Sequence, residues 1–303
     1  MFRLIIQQQN EFEQAIFLDQ ADFIRVTILT NEFVRSNNVS FSQSMDIEPS
    51  AIIKKSKKES FNWNWLRHLS SRIVFKIDRK TLADSDILAF NPFQLDVADT
   101  SLLSIGSTIR NILYINRTGT KFRVEIQQSD SRTKTLLNIG FDSRRRTEYT
   151  FTPSVKLGNN FRSQFSALYG FNDNLSEFFP DRNYALTTVE VKPQLIYMMK
   201  TIFRASLQYK FKDSRNSLGA LEKAKAHDVT LETKFSNSKK SNTSIRGTVS
   251  WVNLNFDGQN NTPVQFAMTD GLQNGQNFIW SLSLDRSISR NIQLNIGYEG
   301  RKT

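Results

Sequence analysis

The chain has 303 residues, 39% of them hydrophobic, with 24 Phe, no Cys and a formal net charge of +11. That length suits one large β domain or two ordinary domains. Without Cys there is no disulfide framework and no thiolate metal site, and no apolar stretch approaches the ~20 residues of a transmembrane helix. The basic residues are dispersed apart from Lys54, Lys55, Lys57 and Lys58 and the cluster Arg144, Arg145 and Arg146. The excess therefore reads as solvated loops and a basic wet face, or as contact with anionic lipid headgroups, and no nucleic-acid partner is expected.

Taken in chain order, the start "MFRLIIQQQNEFEQ" lacks the apolar core and cleavage site of a signal peptide. Strands are expected near 22–34 and 38–48. The stretch "AIIKKSKKESFNWNWLRHLSS" reads as a surface helix or as a segment that pairs differently. From about residue 70 the pattern becomes regular. Ile73, Phe75 and Ile77 alternate with Arg72, Lys76 and Asp78, a second strand falls at 103–115, and Phe122, Val124 and Ile126 alternate with Arg123, Glu125 and Gln127. Such period-two alternation places one set of side chains on each face of a strand.

The same signature recurs to the end of the chain. One phase holds Tyr149, Phe151, Pro153, Val155 and Leu157; then Phe161, Phe165, Tyr169 and Phe171; then Val189, Val191, Pro193, Leu195 and Tyr197. It continues through Phe203, Leu207, Tyr209 and Phe211, then Val229, Leu231 and Phe235, then Ile245, Val249 and Trp251. The last two runs are Phe278, Trp280, Leu282 and Leu284, and Ile292, Leu294, Ile296 and Tyr298. None of these positions is charged. The interleaved ones carry Glu148, Lys156, Arg162, Glu190, Lys192, Arg204, Lys210, Glu232, Lys234 and Arg246. Pro153 and Pro193 interrupt the ladder and call for bulges or strand ends.

Alternation alone fits a soluble sandwich as well as a membrane barrel. The connections favour the barrel. Short turns ("NRTGT", "GNN", "MMKT", "SNSKKSNT", "DRSISRN") take turns with longer polar stretches ("GFDSRRR", "NDNLSEFFPDRN", "KDSRNSLGALEKAKA", "NFDGQNNTPVQFAMTDGLQNGQ"). In an up-and-down meander every second connection lies at the same end, which matches short periplasmic turns and long extracellular loops. The fold class expected is therefore all-β, an up-and-down antiparallel transmembrane β-barrel of about 12–14 strands. Residues 1–70 are set apart as N-terminal strands plus a periplasmic-side helix with pairing left open, and residues 71–303 form the antiparallel barrel meander.

The runs "FDSRRRTEYTFTPSVKLG" and "NTPVQFAMTDGLQNGQNFIWSLSLDRSISRNIQLNIGYEGRKT" resemble the C-terminal β-barrel region of large, mostly uncharacterised outer-membrane proteins of the Bacteroidota. The resemblance covers most of the chain. It implies a bacterial outer-membrane location and a barrel fold, and no reaction. Barrels of this kind end in a strand with a terminal aromatic residue, whereas this chain stops at "GYEGRKT". With "DRSISRN" as a periplasmic turn the last strand runs outward, and an even strand count then requires at least one more. The sequence is accordingly expected to be an incomplete fragment.

No glycine loop for phosphates is present. His68 and His227 do not make a zinc site, and His227 has no orienting partner for a hydrolase role. Loop carboxylates (Asp173, Glu177, Asp181, Asp257, Asp270) match no calcium loop. No enzyme activity, cofactor or metal is expected. The lumen-facing basic candidates are Arg162, Arg204, Lys210, Lys234 and Arg246, which would favour anionic solutes in an open lumen or pair with Glu148, Glu190 and Glu232 in a structural network. The latter is favoured because the signs are mixed. The lipid-facing candidates are Phe278, Trp280, Leu282, Leu284, Ile292, Leu294, Ile296 and Tyr298. The function expected is a channel, a translocation or assembly component, or a surface anchor. Its partners would be outer-membrane lipid and lipopolysaccharide, with periplasmic or surface proteins. The alternative is a soluble all-β binding or adhesion protein.

Overall fold

The computed structural model describes residues 35–51, 63–83, 91–93, 99–137, 140–237, 242–289 and 291–303. The unit Ser36–Thr303 is one twelve-stranded antiparallel sheet whose strand order follows the sequence. The strands are β1 (Ser36–Ile47), β2 (Leu69–Leu82), β3 (Leu102–Ile115), β4 (Phe122–Leu137), β5 (Gly140–Leu157) and β6 (Phe161–Ser176). They continue with β7 (Tyr184–Met199), β8 (Phe203–Asn216), β9 (Lys223–Asn237), β10 (Thr243–Asp257), β11 (Gly275–Ser287) and β12 (Gln293–Lys302). Every strand pairs with the next in the chain, and the sheet is not closed. The up-and-down antiparallel meander expected from the alternation is thus present. The predicted strand at 22–34 lies outside the described residues. So do residues 52–62 of the predicted surface helix, whose flanks Pro49–Ala51 and Trp63–His68 form short 3-10 helices.

Strands run from 10 to 18 residues, longer than the five or six usual in soluble sheets. Their length changes the reading of the connections. "GFDSRRR" is not a loop: it opens β5, and only residues 138 and 139 separate it from β4. A charged run remains a good strand where its charges find partners across the ladder, and here Asp130 of β4 supplies them. Arg145 donates two hydrogen bonds to its Oδ2 at 3.1 and 3.2 Å, Thr147 donates at 2.7 Å to the same oxygen, and Arg132 reaches Oδ1 at 2.7 Å. Strands β6, β8 and β9 likewise extend into stretches expected to be loop.

The prolines also depart from expectation. β5 and β6 pair Phe151 with Ala167 and, beyond the proline, Ser154 with Gln164, in one unbroken register. β7 and β8 do the same around Pro193, from Val191 opposite Phe211 to Gln194 opposite Gln208. Neither proline makes a bulge or ends a strand. Each lacks one N–H toward one neighbour, while its other edge still pairs, Pro153 with Val124 and Pro193 with Phe165. Beside the first gap the Thr152 and Ser166 hydroxyls are 3.3 Å apart and hydrogen bonded.

Among the described residues one connection carries an α-helix. Between β10 and β11, α1 (Pro263–Thr269) starts where the Thr262 hydroxyl accepts from the Gln265 N–H at 3.1 Å, with Pro263 in the first turn. It stops at Asp270, which takes a left-handed φ of 54°. Val264 and Met268 of α1 pack with Leu186, Ala224 and Phe256 into a buried cluster. No described helix is long and apolar enough to cross a membrane.

Candidate functional site: the two faces of the sheet

Residues opposite one another in adjacent antiparallel strands share a face, so the registers assign every described strand position to one of two faces. Val155 faces Ser163, then Leu195, Leu207, Leu231, Val249 and Trp280 from strand to strand. Phe278, Trp280, Leu282, Leu284, Leu294, Ile296 and Tyr298 belong to this apolar face. Ile292 lies in the turn before β12, where its carbonyl accepts from the Ile288 and Ser289 N–H groups. Arg162, Arg204, Lys210, Lys234 and Arg246 all lie on the opposite, polar face.

Burial runs against the usual order. Leu282 is 52% exposed, Val249 55% and Tyr298 61%, while Ser206 is 3% and Ser214 1% exposed on the polar face. Among the described residues, all exposed large apolar side chains carried by strands project from the apolar face, Leu137 excepted. The apolar face forms a band. It begins beside the short turns and holds four or five outward residues per strand, for example Phe203, Ala205, Leu207, Tyr209 and Phe211 on β8. Beyond it the same face turns charged, with Arg132, Arg145, Asp173, Asp213, Arg215, Lys223 and Lys225.

Aromatic rings mark both edges of the band. Near the short turns, Phe161 and Tyr197 have centroids 5.0 Å apart, Tyr197 and Phe203 are 6.3 Å apart, and Phe203 is paired with Phe235. At the other edge Tyr149 is paired with Tyr169, Phe171 packs edge-on against Tyr169 at 4.9 Å, and Trp251 is paired with Phe278. His227 sits at this edge, its Nδ1 2.7 Å from the Tyr209 hydroxyl and its ring 5.0 Å from Phe211. Tyr209, not a serine, is therefore its partner. At β2 the apolar face is covered by protein: Ile77 is fully buried, and Phe93 stacks on Phe75 at 5.5 Å and meets Phe41 edge-on at 5.8 Å.

The polar face is cross-linked, mostly by pairs other than those expected. Glu148 pairs with Arg146 at 2.6 Å and Glu190 with Lys192 at 3.0 Å. Of the three acids named from sequence, only Glu232 meets one of the five basic candidates, Arg246 at 3.9 Å. Lys210 instead meets Asp228 at 3.2 Å, and Arg162 donates to the Ser154 hydroxyl at 3.1 Å. The Thr230 hydroxyl, 2.7 Å from both Asp228 Oδ1 and the Ser250 hydroxyl, continues the network. At the far end α1 lies over the polar face of β8–β10, and Lys212 holds its C-terminus through Asp270 at 3.0 Å.

Asp130, beyond the apolar band, is a carboxylate with a lowered pKa. Partial burial pushes its carboxyl up, but the hydrogen bonds from Thr147, Arg132 and Arg145 outweigh that and leave it below the usual carboxylate range. Glu177 accepts from the Phe141 N–H at 2.9 Å and so ties down its own loop. Among the described residues no three His or carboxylate groups cluster as metal ligands would. No protein-family model and no curated protein matches the chain.

Proposed function

We propose that Ser36–Thr303 forms the wall of a bacterial outer-membrane β-barrel of the Bacteroidota type, with the apolar face against lipid and the polar face toward water. It serves as a channel, a translocation or assembly component, or a surface anchor, without catalysis of its own. One observation carries the reading: the face rich in Leu, Val, Phe and Tyr is the bare one, while Ser154, Ser206, Ser214 and Asn277 opposite are buried. In water so large an exposed apolar surface is a liability; in hydrocarbon it is the required solvent contact. The aromatic rows at both edges fit the two interfaces. Outward residues spanning eight steps of ~3.3 Å, tilted by ~40°, give a band of roughly 20 Å, and side chains extend it toward the ~25 Å of outer-membrane barrels.

Spin labels at Leu282 and Leu294 should be relaxed by oxygen dissolved in lipid, and labels at Ser283 and Asn295 by aqueous reagents. Inaccessibility of Leu282 and Leu294 to both would mean a protein core. The soluble all-β binding or adhesion protein draws on the covered patch at Phe41, Phe75 and Phe93, and would need such cover along the whole face. Detergent dependence and heat-modifiable gel mobility separate the two readings.

A further inference from the structure

On the polar face, near the short turns, three cations stand side by side. Arg204 is directly opposite Lys234, and Lys234 is directly opposite Arg246. Facing side chains in such a ladder have Cβ atoms about 5 Å apart, and like charges there repel. Elsewhere on this face lysines have acids close by: Lys192 has Glu190, Lys210 has Asp228 and Lys212 has Asp270, all within 3.2 Å. This row has only Glu232, 3.9 Å from Arg246, with both side chains more than 40% exposed, which is a weak contact. Among the described residues neither Arg204 nor Lys234 makes an ion pair. Lys156 and Arg162, also directly opposite each other, extend the positive surface across β5 and β6.

The next residues toward the turn on the same face are Ser236 and Ser244. They line a hollow of about 460 Å³ together with Asp285, Gln293 and Asn295. Hydroxyls, amides and a carboxylate are the groups that hydrogen-bond sugar hydroxyls, and guanidinium forks match phosphate oxygens.

We propose that this part of the polar face binds a phosphorylated sugar. Its phosphate lies across Arg204, Lys234 and Arg246, and its hydroxyl-rich body sits in the hollow beside Ser236 and Ser244. The site does not depend on what covers the apolar face, so it stands or falls apart from the membrane reading. The test is titration of the detergent-solubilised full chain with inorganic pyrophosphate and with glucose 6-phosphate, followed by calorimetry. Both ligands should saturate and compete. R204Q/K234Q/R246Q should weaken both at least tenfold, and Ser236→Val should weaken only the sugar phosphate. Lys192→Gln, which removes a cation already paired with Glu190, should leave both unchanged. Thermal melts of the triple variant should equal or exceed those of the parent, because repulsion has been removed. Absence of saturation, equal weakening by Lys192→Gln, or a lower melt in the triple variant would each overturn the proposal.

Discussion

Trp280 lies over Gly300 on the neighbouring strand, and a Cβ added to Gly300 would collide with the indole. The glycine therefore serves as a seat for a ring rather than as a hinge. Gly300→Val should displace the indole and cost about 1–2 kcal/mol by overpacking. A shift of the Trp280 indole resonance checks it; an unmoved resonance refutes the seating. Charge tests the two faces at neighbouring positions. In a bilayer, Val249→Arg, level with Leu207 and Leu231 in the middle of the band, should cost on the order of 2–4 kcal/mol, and Thr248→Arg on the other face less than about 1 kcal/mol. Equal costs in a denaturant titration from vesicles would remove the distinction between the faces. At this scale the sequence was readable. For the strand residues the face followed from period two, although Ile292 fell in a turn, and the five basic candidates lie on the polar face. Their partners were not readable, because Asp228 meets Lys210 only through the β8–β9 register.

At the scale of elements, charged runs that read as loop in the sequence belong to strands. Arg144, Arg145 and Arg146 form such a run: all three lie in β5, where Arg145 pairs with Asp130, Arg146 with Glu148 and Arg144 with Asp142 at 3.7 Å. A lone carboxylate fifteen residues away gives no local signal. For α1 a signal was present: "TPVQ" has Thr262 as N-cap, Pro263 in the first turn and Gln265 three residues on. Gln265 also accepts from the Asn261 N–H at 2.6 Å through its side chain. Met268 is 1% exposed beneath α1, so Met268→Ala should cost about 2–4 kcal/mol through the cavity it leaves. Faster proteolysis between 258 and 274 would report the loosened helix. The hairpin β4–β5 should respond to acid. Asp130 has a depressed pKa in the folded state, so its stabilisation is present above the unfolded value of ~3.9 and is lost as pH falls through the folded value. Amide exchange at the β4–β5 tip should quicken below about pH 4, and Asp130→Asn should show fast exchange already at neutral pH. An acid step that survives in Asp130→Asn would place its origin elsewhere.

The whole sheet has a property that no single strand has: its apolar band runs on from strand to strand, shifting along the ladder so that Phe171 of β6 is level with Arg215 of β8. Shared registers carry Phe203 level with Phe235 and Ile245 at one edge, and Trp251 level with Phe278 at the other. A band so edged has a thickness, and bilayer thickness can be varied. Mismatch costs fractions of a kcal/mol per Å, and it accumulates over the strands that share the band. Folding from urea into vesicles should therefore be most complete where the hydrocarbon core is about 20–25 Å. It should fall as acyl chains lengthen toward and beyond the ~30 Å of typical bilayers. Yield is read as the fraction shifting in unheated gels. Deleting an outward contact within the band, as in Leu207→Ala, should lower yield at every thickness without moving the optimum. By contrast, Phe211→Asp at the band's far edge shortens the apolar stretch of β8 and should move the optimum to thinner bilayers. A yield independent of chain length, or equal folding in buffer without lipid, would show that the band is not matched to a membrane. The bare face would then need a protein layer to cover it.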